Sequence, residues 1–370
     1  MRVGIDIRMY NYTGVGEYIK GLLEGLAQID DRNEYVLLSQ SEDLNESAVE
    51  NGKFTRLKID LRPFSLAEPI GLALALRKIK PDVFHCPHFI VPALFAGPLL
   101  VTLHDLVPLR FPNLLSIRSR SYYHCMLKVA VRKARKIIAV SNCTKGDIMD
   151  FLHVSEDKIV VIHEGVRGIF RPVRDVSVIE RVLSAHGIEG KFIVYLGQWK
   201  PHKNVEGLIK AFHYAKARVQ LPHKLVICGR KNSRYYSIPQ LVRRLQIQND
   251  VIFVGLISDH DLPILLSAAD LLVYPSFYEG FGLPPLQAMA CGTPVIASSA
   301  SSIPEVIGDS GLLHNPHNIQ ELSDSIIEIL VNTEIRRNMI AKGLKRAKMF
   351  SWKEAAWKTL KLYEEVNHER

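Results

Sequence analysis

Short runs of apolar, largely β-branched residues alternate with longer amphipathic stretches along nearly the whole chain, and they do so in two series. The strand candidates of the first series are Arg2–Ile7, Tyr35–Leu38, Val83–His85, Leu99–Leu103, Lys136–Val140 and Ile159–Ile162. Those of the second are Phe192–Leu196, Lys224–Cys228, Val251–Phe253, Leu271–Tyr274 and Pro294–Ala297. Helical patterns lie between them, among them Gly16–Ala27, Ser121–Ala134, Val205–Ala217, Asp259–Ala268 and Gln320–Val331. Such alternation points to an α/β fold in which helices cover both faces of parallel sheets. Two series predict two doubly wound, Rossmann-like domains, and 370 residues suffice for both. The Gly- and Pro-bearing segment Gly165–Pro172 follows the last strand of the first series. The domains are accordingly expected at residues 1–170 and 171–351. The final stretch, 352–370, carries Trp352, Ala356, Leu360 and Tyr363 at helical spacing and is expected to pack back on the first domain.

The ends and the cysteines narrow the class. Asp6 and Arg8 interrupt the N-terminal apolar run, and no signal-peptide pattern follows. The longest apolar stretch, Phe89–Leu103, is broken by Pro92, Gly97 and Pro98 and falls short of the roughly 20 residues a membrane span needs. Five scattered cysteines without a Cys-x-x-Cys pair read as reduced thiols, so the expected location is the cytoplasm. Cys86 between His85 and His88 lacks a second cluster at metal-ligand spacing, and no metal is expected. The net charge of +9 suggests an anionic partner: phosphate, nucleic acid or a membrane surface. No nucleic-acid-binding module is recognisable.

In open α/β sheets ligands bind beyond the carboxyl ends of strands, so the informative residues lie just after each strand. After the first strand, Gly14 and Gly16 precede a helix, where backbone amides can meet a phosphate; the same pair also serves ordinary turn geometry. The third glycine of a dinucleotide fingerprint is absent, because Ile19 stands there. His104 follows Leu99–Leu103, either as a donor to substrate or as part of a turn with Asp105. After Phe192–Leu196 come Gly197, Gln198, Lys200 and Lys203, with Asn204 as the expected helix N-cap; this is a diphosphate site or a solvated basic turn. The most informative run follows Leu271–Tyr274: Glu279-Gly280-Phe281-Gly282-Leu283-Pro284-Pro285, then Gln287 on a helix that starts near the prolines. Asp259-His260-Asp261 has the form of a metal-binding Asp-x-Asp, but acidic residues are expected in a first helical turn.

The run from Glu279 resembles the signature of the family 4 (group 1) retaining glycosyltransferases of the GT-B fold. The flanking Ala288-Met289-Ala290, Gly292, Pro294-Val295 and Ser301 to Glu305 match as well. In family order stand Gly14/Gly16, Val101-Thr102-Leu103-His104-Asp105, Ala139-Val140-Ser141, Gly197 with Lys203-Asn204, and Val226 to Gly229. The resemblance spans nearly the whole chain. It implies two Rossmann-like domains facing across a cleft, with a nucleotide-sugar donor held by the C-terminal one. Carried over residue by residue, Lys203 would neutralise the diphosphate, and the Phe281-Gly282-Leu283 amides would bind phosphate and sugar hydroxyls. Glu279 would contact the transferred sugar, and Gln287 the ribose. Gly229, Arg230 and the stretch around Leu256 would lie near the base. His104 would reach the sugar, and Gly14 and Gly16 would border the phosphates or the acceptor. The catalytic set is then His104, Lys203 and Glu279, with no cofactor and no metal. Charge on the leaving diphosphate would be met by lysine and helix dipoles, and the anomeric configuration retained.

Two departures stand out. Gln287 replaces the family's second glutamate, eight positions after the first, and Gln198 stands where many members carry arginine. Losing one diphosphate cation would weaken donor binding by about 1–3 kcal/mol unless Lys200 or Arg230 compensates. The Gln198–Lys203-Asn204 variant resembles the mannosyltransferase-like branch, which implies GDP-mannose as donor and a lipid-linked or saccharide acceptor in polysaccharide or glycolipid synthesis. A UDP-sugar donor and a non-catalytic scaffold subunit are the alternatives. A basic stretch (Arg118, Arg120, Lys128, Arg132, Lys133, Arg135, Lys136) is either a solvated helix face or a dock for an anionic membrane, placing the enzyme peripherally on the inner face.

Overall fold

The computed structural model describes residues 1–40, 53–61, 65, 67–230 and 237–368. The chain divides into two compact units, Met1–Gly165 with Phe350–Arg370, and Val166–Met349.

Unit 1 holds seven parallel strands: β1 (Arg2–Asp6), β2 (Glu34–Ser39), β3 (Phe54–Lys58), β4 (Val83–Cys86), β5 (Leu99–Leu103), β6 (Lys136–Ala139) and β7 (Ile159–Val161). Their order is β3-β2-β1-β4-β5-β6-β7, so the winding reverses between β1 and β4. β4 and β5 are buried along their whole length, as apolar runs covered on both faces must be. The helix Val15–Ile29 buries Tyr18, Ile19, Leu22, Leu23 and Leu26. Its Gly21 and Gly25, one turn apart, let the helix Trp352–His368 approach closely. A Cβ at Gly21 would lie 1.9 Å from the Trp352 ring, and one at Gly25 2.4 Å from the Trp352 carbonyl. The last helix of the chain is thereby part of unit 1.

Unit 2 holds six parallel strands: β8 (Phe192–Leu196), β9 (Lys224–Cys228), β10 (Val251–Gly255), β11 (Leu271–Tyr274), β12 (Val295–Ser298) and β13 (Leu312–His314). Their order is β10-β9-β8-β11-β12-β13, with the reversal between β8 and β11. Both sheets are Rossmann-like.

β3 and β13 are absent from the expected strands. Each lies at a sheet edge. Phe54-Thr55-Arg56-Leu57-Lys58 carries the polar and charged residues an edge tolerates, and Leu312–His314 is too short to show a pattern. The first unit ends at Gly165, where a Cβ would meet the Trp352 nitrogen at 2.3 Å. The last helix packs against this glycine.

Candidate active site

The reversal between β8 and β11 places the loops that follow these two strands side by side, the position where open α/β sheets bind ligands. From the β8 loop, the short turn Pro201–Lys203 presents Lys203; from the β11 loop comes Glu279. The Lys203 ammonium donates to both Glu279 oxygens, at 2.7 and 2.6 Å. Glu279 is buried, and burial pushes its carboxyl up, but the Lys203 charge outweighs this and holds it below the ordinary glutamate range. The Tyr274 ring lies 5.8 Å under the ammonium.

The backbone around Glu279 is tied down by the next loop. Ser301 Oγ accepts from the Glu279 amide at 2.8 Å, and Ser302 Oγ lies 2.9 Å from the carbonyls of both Glu279 and Phe281, donating to them. Gly282 has φ +111 and forms the N-cap of the helix Leu283–Ala290. Pro284 and Pro285 carry no N–H, so the donors at this end are thinned to the backbone around Phe281, Gly282 and Leu283. Phe281 and Gln287 are buried.

Asn204 departs from its expected role. It has φ +54, and its side chain does not cap the helix Val205–Arg218. Its Nδ2 donates instead to the carbonyls of Pro275 and Pro316, at 3.1 and 2.9 Å. The residue fastens the β8 loop to the β11 loop, which fixes Lys203 next door.

Three glycines end β8, β9 and β10. Gly197 donates to the Cys228 carbonyl at 3.0 Å, and Gly229 to the Gly255 carbonyl at 2.7 Å. Gly229 has φ +134, and a Cβ there would sit 1.9 Å from the Gly197 carbonyl oxygen. A bare backbone ledge results. Arg230 and Leu256 follow it and are exposed, Leu256 by 62%. The Gln198 carbonyl accepts from the Tyr195 hydroxyl at 3.2 Å, and Lys200 is exposed.

In unit 1, His104 follows β5. Its Nδ1 lies 3.0 Å from Glu164 Oε1 and its Nε2 3.1 Å from the Pro87 carbonyl. The Tyr18 ring stands edge-on to it, with centroids 4.9 Å apart. Behind it runs a buried chain: Tyr18 Oη to Thr102 Oγ1 at 3.0 Å, Thr102 to His85 Nε2 at 2.8 Å, and His85 Nδ1 to Tyr363 Oη at 2.8 Å. Glu164, Tyr18 and Tyr363 were invisible to motif reasoning, because each is brought to His104 or His85 by a different element. The two early glycines separate in role. Gly14 has φ +82 and open space around it, whereas a Cβ at Gly16 would lie 2.3 Å from the Tyr10 carbonyl.

The winding reversal of unit 1 is filled by charge. Asp6 receives two bonds from Arg8, at 2.9 and 2.6 Å, and lies 2.9 Å from His88 Nε2; Arg8 also pairs with Glu68 at 2.6 Å. His85 and His88 are thus engaged with neighbours on both sides of Cys86. Asp259 pairs with Arg167 at 2.8 Å, and Asp261 with His186 at 3.2 Å and His260 at 2.9 Å. Among the described residues no group of three or more His, Cys, Asp or Glu could hold a metal ion.

The expected basic stretch divides. Arg118, Arg120, Lys128 and Arg132 are exposed on the helix Ile117–Lys133. Arg135 donates to the Val366 carbonyl at 3.1 Å and Lys136 pairs with Glu365 at 2.9 Å, so these two bind the last helix. Among the described residues no helix is long and apolar enough to cross a membrane.

Comparison with known proteins agrees with both sheets. The glycosyltransferase family 4 profile matches residues 12–167, and that of the glycosyl transferases group 1 matches residues 180–346. The chain is 30% identical over 369 residues to an O-antigen chain mannosyltransferase B of Escherichia coli, covering 96% of each. Among solved structures, sucrose-phosphate synthase of Thermosynechococcus elongatus superposes with a TM-score of 0.81 at 20% identity, covering 100% of both chains. Anabaena HepE in complex with UDP and glucose does so at 0.79 and 19% identity, over 99% of this chain and 100% of that one.

Proposed function

On the premise that this chain belongs to the group 1, family 4 glycosyltransferases, we infer that it transfers mannose from GDP-mannose to a saccharide or lipid-linked acceptor in polysaccharide synthesis, with retention of configuration. The observation that carries the reading is the Lys203–Glu279 pair at the reversal between β8 and β11, beside the Gly282 turn. Glycosyl transfer to an acceptor develops positive charge on the sugar and negative charge on the leaving diphosphate. A carboxylate and an ammonium set side by side answer both needs. In this reading Lys203 turns from Glu279 to the diphosphate when the donor arrives, and Glu279 is released to the sugar. The Phe281-Gly282-Leu283 backbone takes phosphate and sugar oxygens, and Gln287 takes the ribose hydroxyls. The ledge at Gly229, with Arg230 and Leu256 beside it, carries the base. Gln198 supplies no cation, so Lys203 holds the diphosphate with help from Lys200 or Arg230. His104 is assigned to the transferred sugar, and Gly14, with its open surroundings, suits a ligand-facing turn better than Gly16.

Mannose is favoured by the E. coli relative, whose name is that of an O-antigen mannosyltransferase. A UDP-sugar donor is the second reading, favoured by the UDP and glucose bound to HepE. A peripheral membrane position is supported by Ile117, 79% exposed at the start of the basic helix, together with Arg118 and Arg120.

Thermal stabilisation by GDP-mannose, UDP-glucose and ADP-glucose, followed by release of nucleotide with and without saccharide acceptors, tests the assignment. Stabilisation and turnover with GDP-mannose support it. Response to UDP-glucose alone moves the donor to the second reading, and inertness toward every donor identifies a non-catalytic subunit.

A further inference from the structure

The surroundings of His104 carry a consequence beyond its place in the site. Its ring is clamped between two acceptors. On one side is the Glu164 carboxylate, 3.0 Å from Nδ1, its side chain only 5% exposed; on the other is the Pro87 carbonyl, 3.1 Å from Nε2. A carbonyl oxygen only accepts, so Nε2 carries a hydrogen. The Glu164 carboxylate faces the other ring nitrogen, so both polar atoms of the ring are engaged and its plane is fixed.

The clamp is built in. Gly165 follows Glu164, and its backbone is pressed against Trp352, with no room for a Cβ. This contact fixes the approach of the Glu164 main chain. The Tyr18 ring meets the imidazole edge-on, at an interplanar angle of 82°, and is itself held by Thr102. Thr144 Oγ1 donates to the His104 carbonyl at 3.2 Å, fixing the backbone. The neighbouring Asp105 carboxylate accepts from the Val107 amide at 3.0 Å, and His85 is bonded to Thr102 and Tyr363. Among the described residues, Glu164 is the carboxylate bonded to the ring.

We propose that Glu164 is a positioning residue for transfer: its carboxylate at Nδ1 sets the plane and reach of the His104 ring, and leaves Nε2, held here by the Pro87 carbonyl, as the nitrogen that exchanges that acceptor for a sugar oxygen. The proposal rests on the reading that His104 takes part in transfer. The oriented-histidine arrangement fixes both the tautomer and the ring plane, and misplacing a reacting group by about 1 Å can cost on the order of 10²-fold.

The test compares wild-type protein with Glu164→Gln, Glu164→Asp and His104→Ala, using the donor that the wild type turns over. Ring-¹⁵N-labelled histidine reports the hydrogen bonding of the His104 nitrogens. Glu164→Gln keeps the shape and removes the charge. It is expected to lower kcat by about 10²-fold with the donor KM little changed, and to shift the His104 Nδ1 signal. Glu164→Asp is expected to recover part of kcat. Wild-type kcat in Glu164→Gln, alongside an inactive His104→Ala, overturns the role of Glu164 and leaves His104 in place. Full activity in His104→Ala overturns both. The spectra need no turnover: a His104 Nδ1 signal unmoved by Glu164→Gln also sinks the proposal.

Discussion

The ammonium of Lys203 and the carboxylate of Glu279, 76 residues apart in sequence, meet at 2.6 Å. The two are not equally dry: their side chains are 17% and 9% exposed, respectively. Removing one partner strands the other, and the more buried carboxylate is the costlier group to strand. Lys203→Ala is therefore expected to lose roughly 3 kcal/mol of stability, and Glu279→Gln less, because a neutral amide leaves an ammonium able to lean toward water. Each single variant should lose about 10²–10³-fold in transfer rate. The double variant should regain stability without regaining activity. Urea unfolding and initial rates on the four proteins check this, and a double variant as unstable as Lys203→Ala alone argues against the pairing.

Gly229 and Gly255 both have positive φ and sit at neighbouring strand ends, but only Gly229 is crowded. Gly229→Ala adds a Cβ against the Gly197 carbonyl and should cost roughly 1–3 kcal/mol or more, with loss of nucleotide-induced stabilisation. Gly255→Ala meets open space, and only backbone strain of about 1–2 kcal/mol is expected. Equal effects of the two substitutions on donor binding would remove the ledge from the site.

Acid should destabilise both units before the ordinary carboxylates titrate. Burial pushes His85 in unit 1 down to about 3, and burial together with Lys203 does the same to His202 in unit 2. Between the ordinary histidine value of 6.5 and about 3, the unfolded chain binds protons that the folded one refuses, so stability falls as pH falls through that window. Asp6 adds to this at lower pH. Burial raises its carboxyl, but Arg8 and His88 override that and hold it well below the usual range, so its contribution is present above the ordinary carboxylate value and lost beneath it. Melting temperatures from pH 7 down to pH 4 should decline, and less steeply in His202→Phe. A flat profile in the wild type contradicts the burial argument.

The exposed cations Arg118, Arg120, Lys128 and Arg132 should draw the protein to vesicles containing anionic lipid, each contributing about 1 kcal/mol near the surface. Arg118→Glu with Arg120→Glu should weaken co-sedimentation, as should high salt. Arg135→Gln should leave it unchanged, because that guanidinium is spent on the last helix. Co-sedimentation indifferent to lipid charge rejects the dock.

The sequence by itself determined the architecture and pointed to the loops that meet at the β8–β11 reversal. Period and residue type are local properties, so apolar runs such as Leu99–Leu103 and Lys224–Cys228 read directly as buried parallel strands. Lys203, Glu279 and Gly282 were legible because they stand just after strands, where such sheets bind ligands. What only the tertiary structure decided is which groups meet. Asn204 looks like a helix cap in sequence, but in the fold it ties the β8 loop to the loops after β11 and β13, which the strand order brings together. Arg135 and Lys136 look like part of a charged face, yet the last helix, returning from the far end of the chain, takes them up. Glu164 carries no motif; its carboxylate meets His104 only because the loop after β7 reaches past β6 to the end of β5, with Trp352 packed against Gly165. Spacing along the chain cannot encode such pairings, because strand order sets them and that order is not the sequence order.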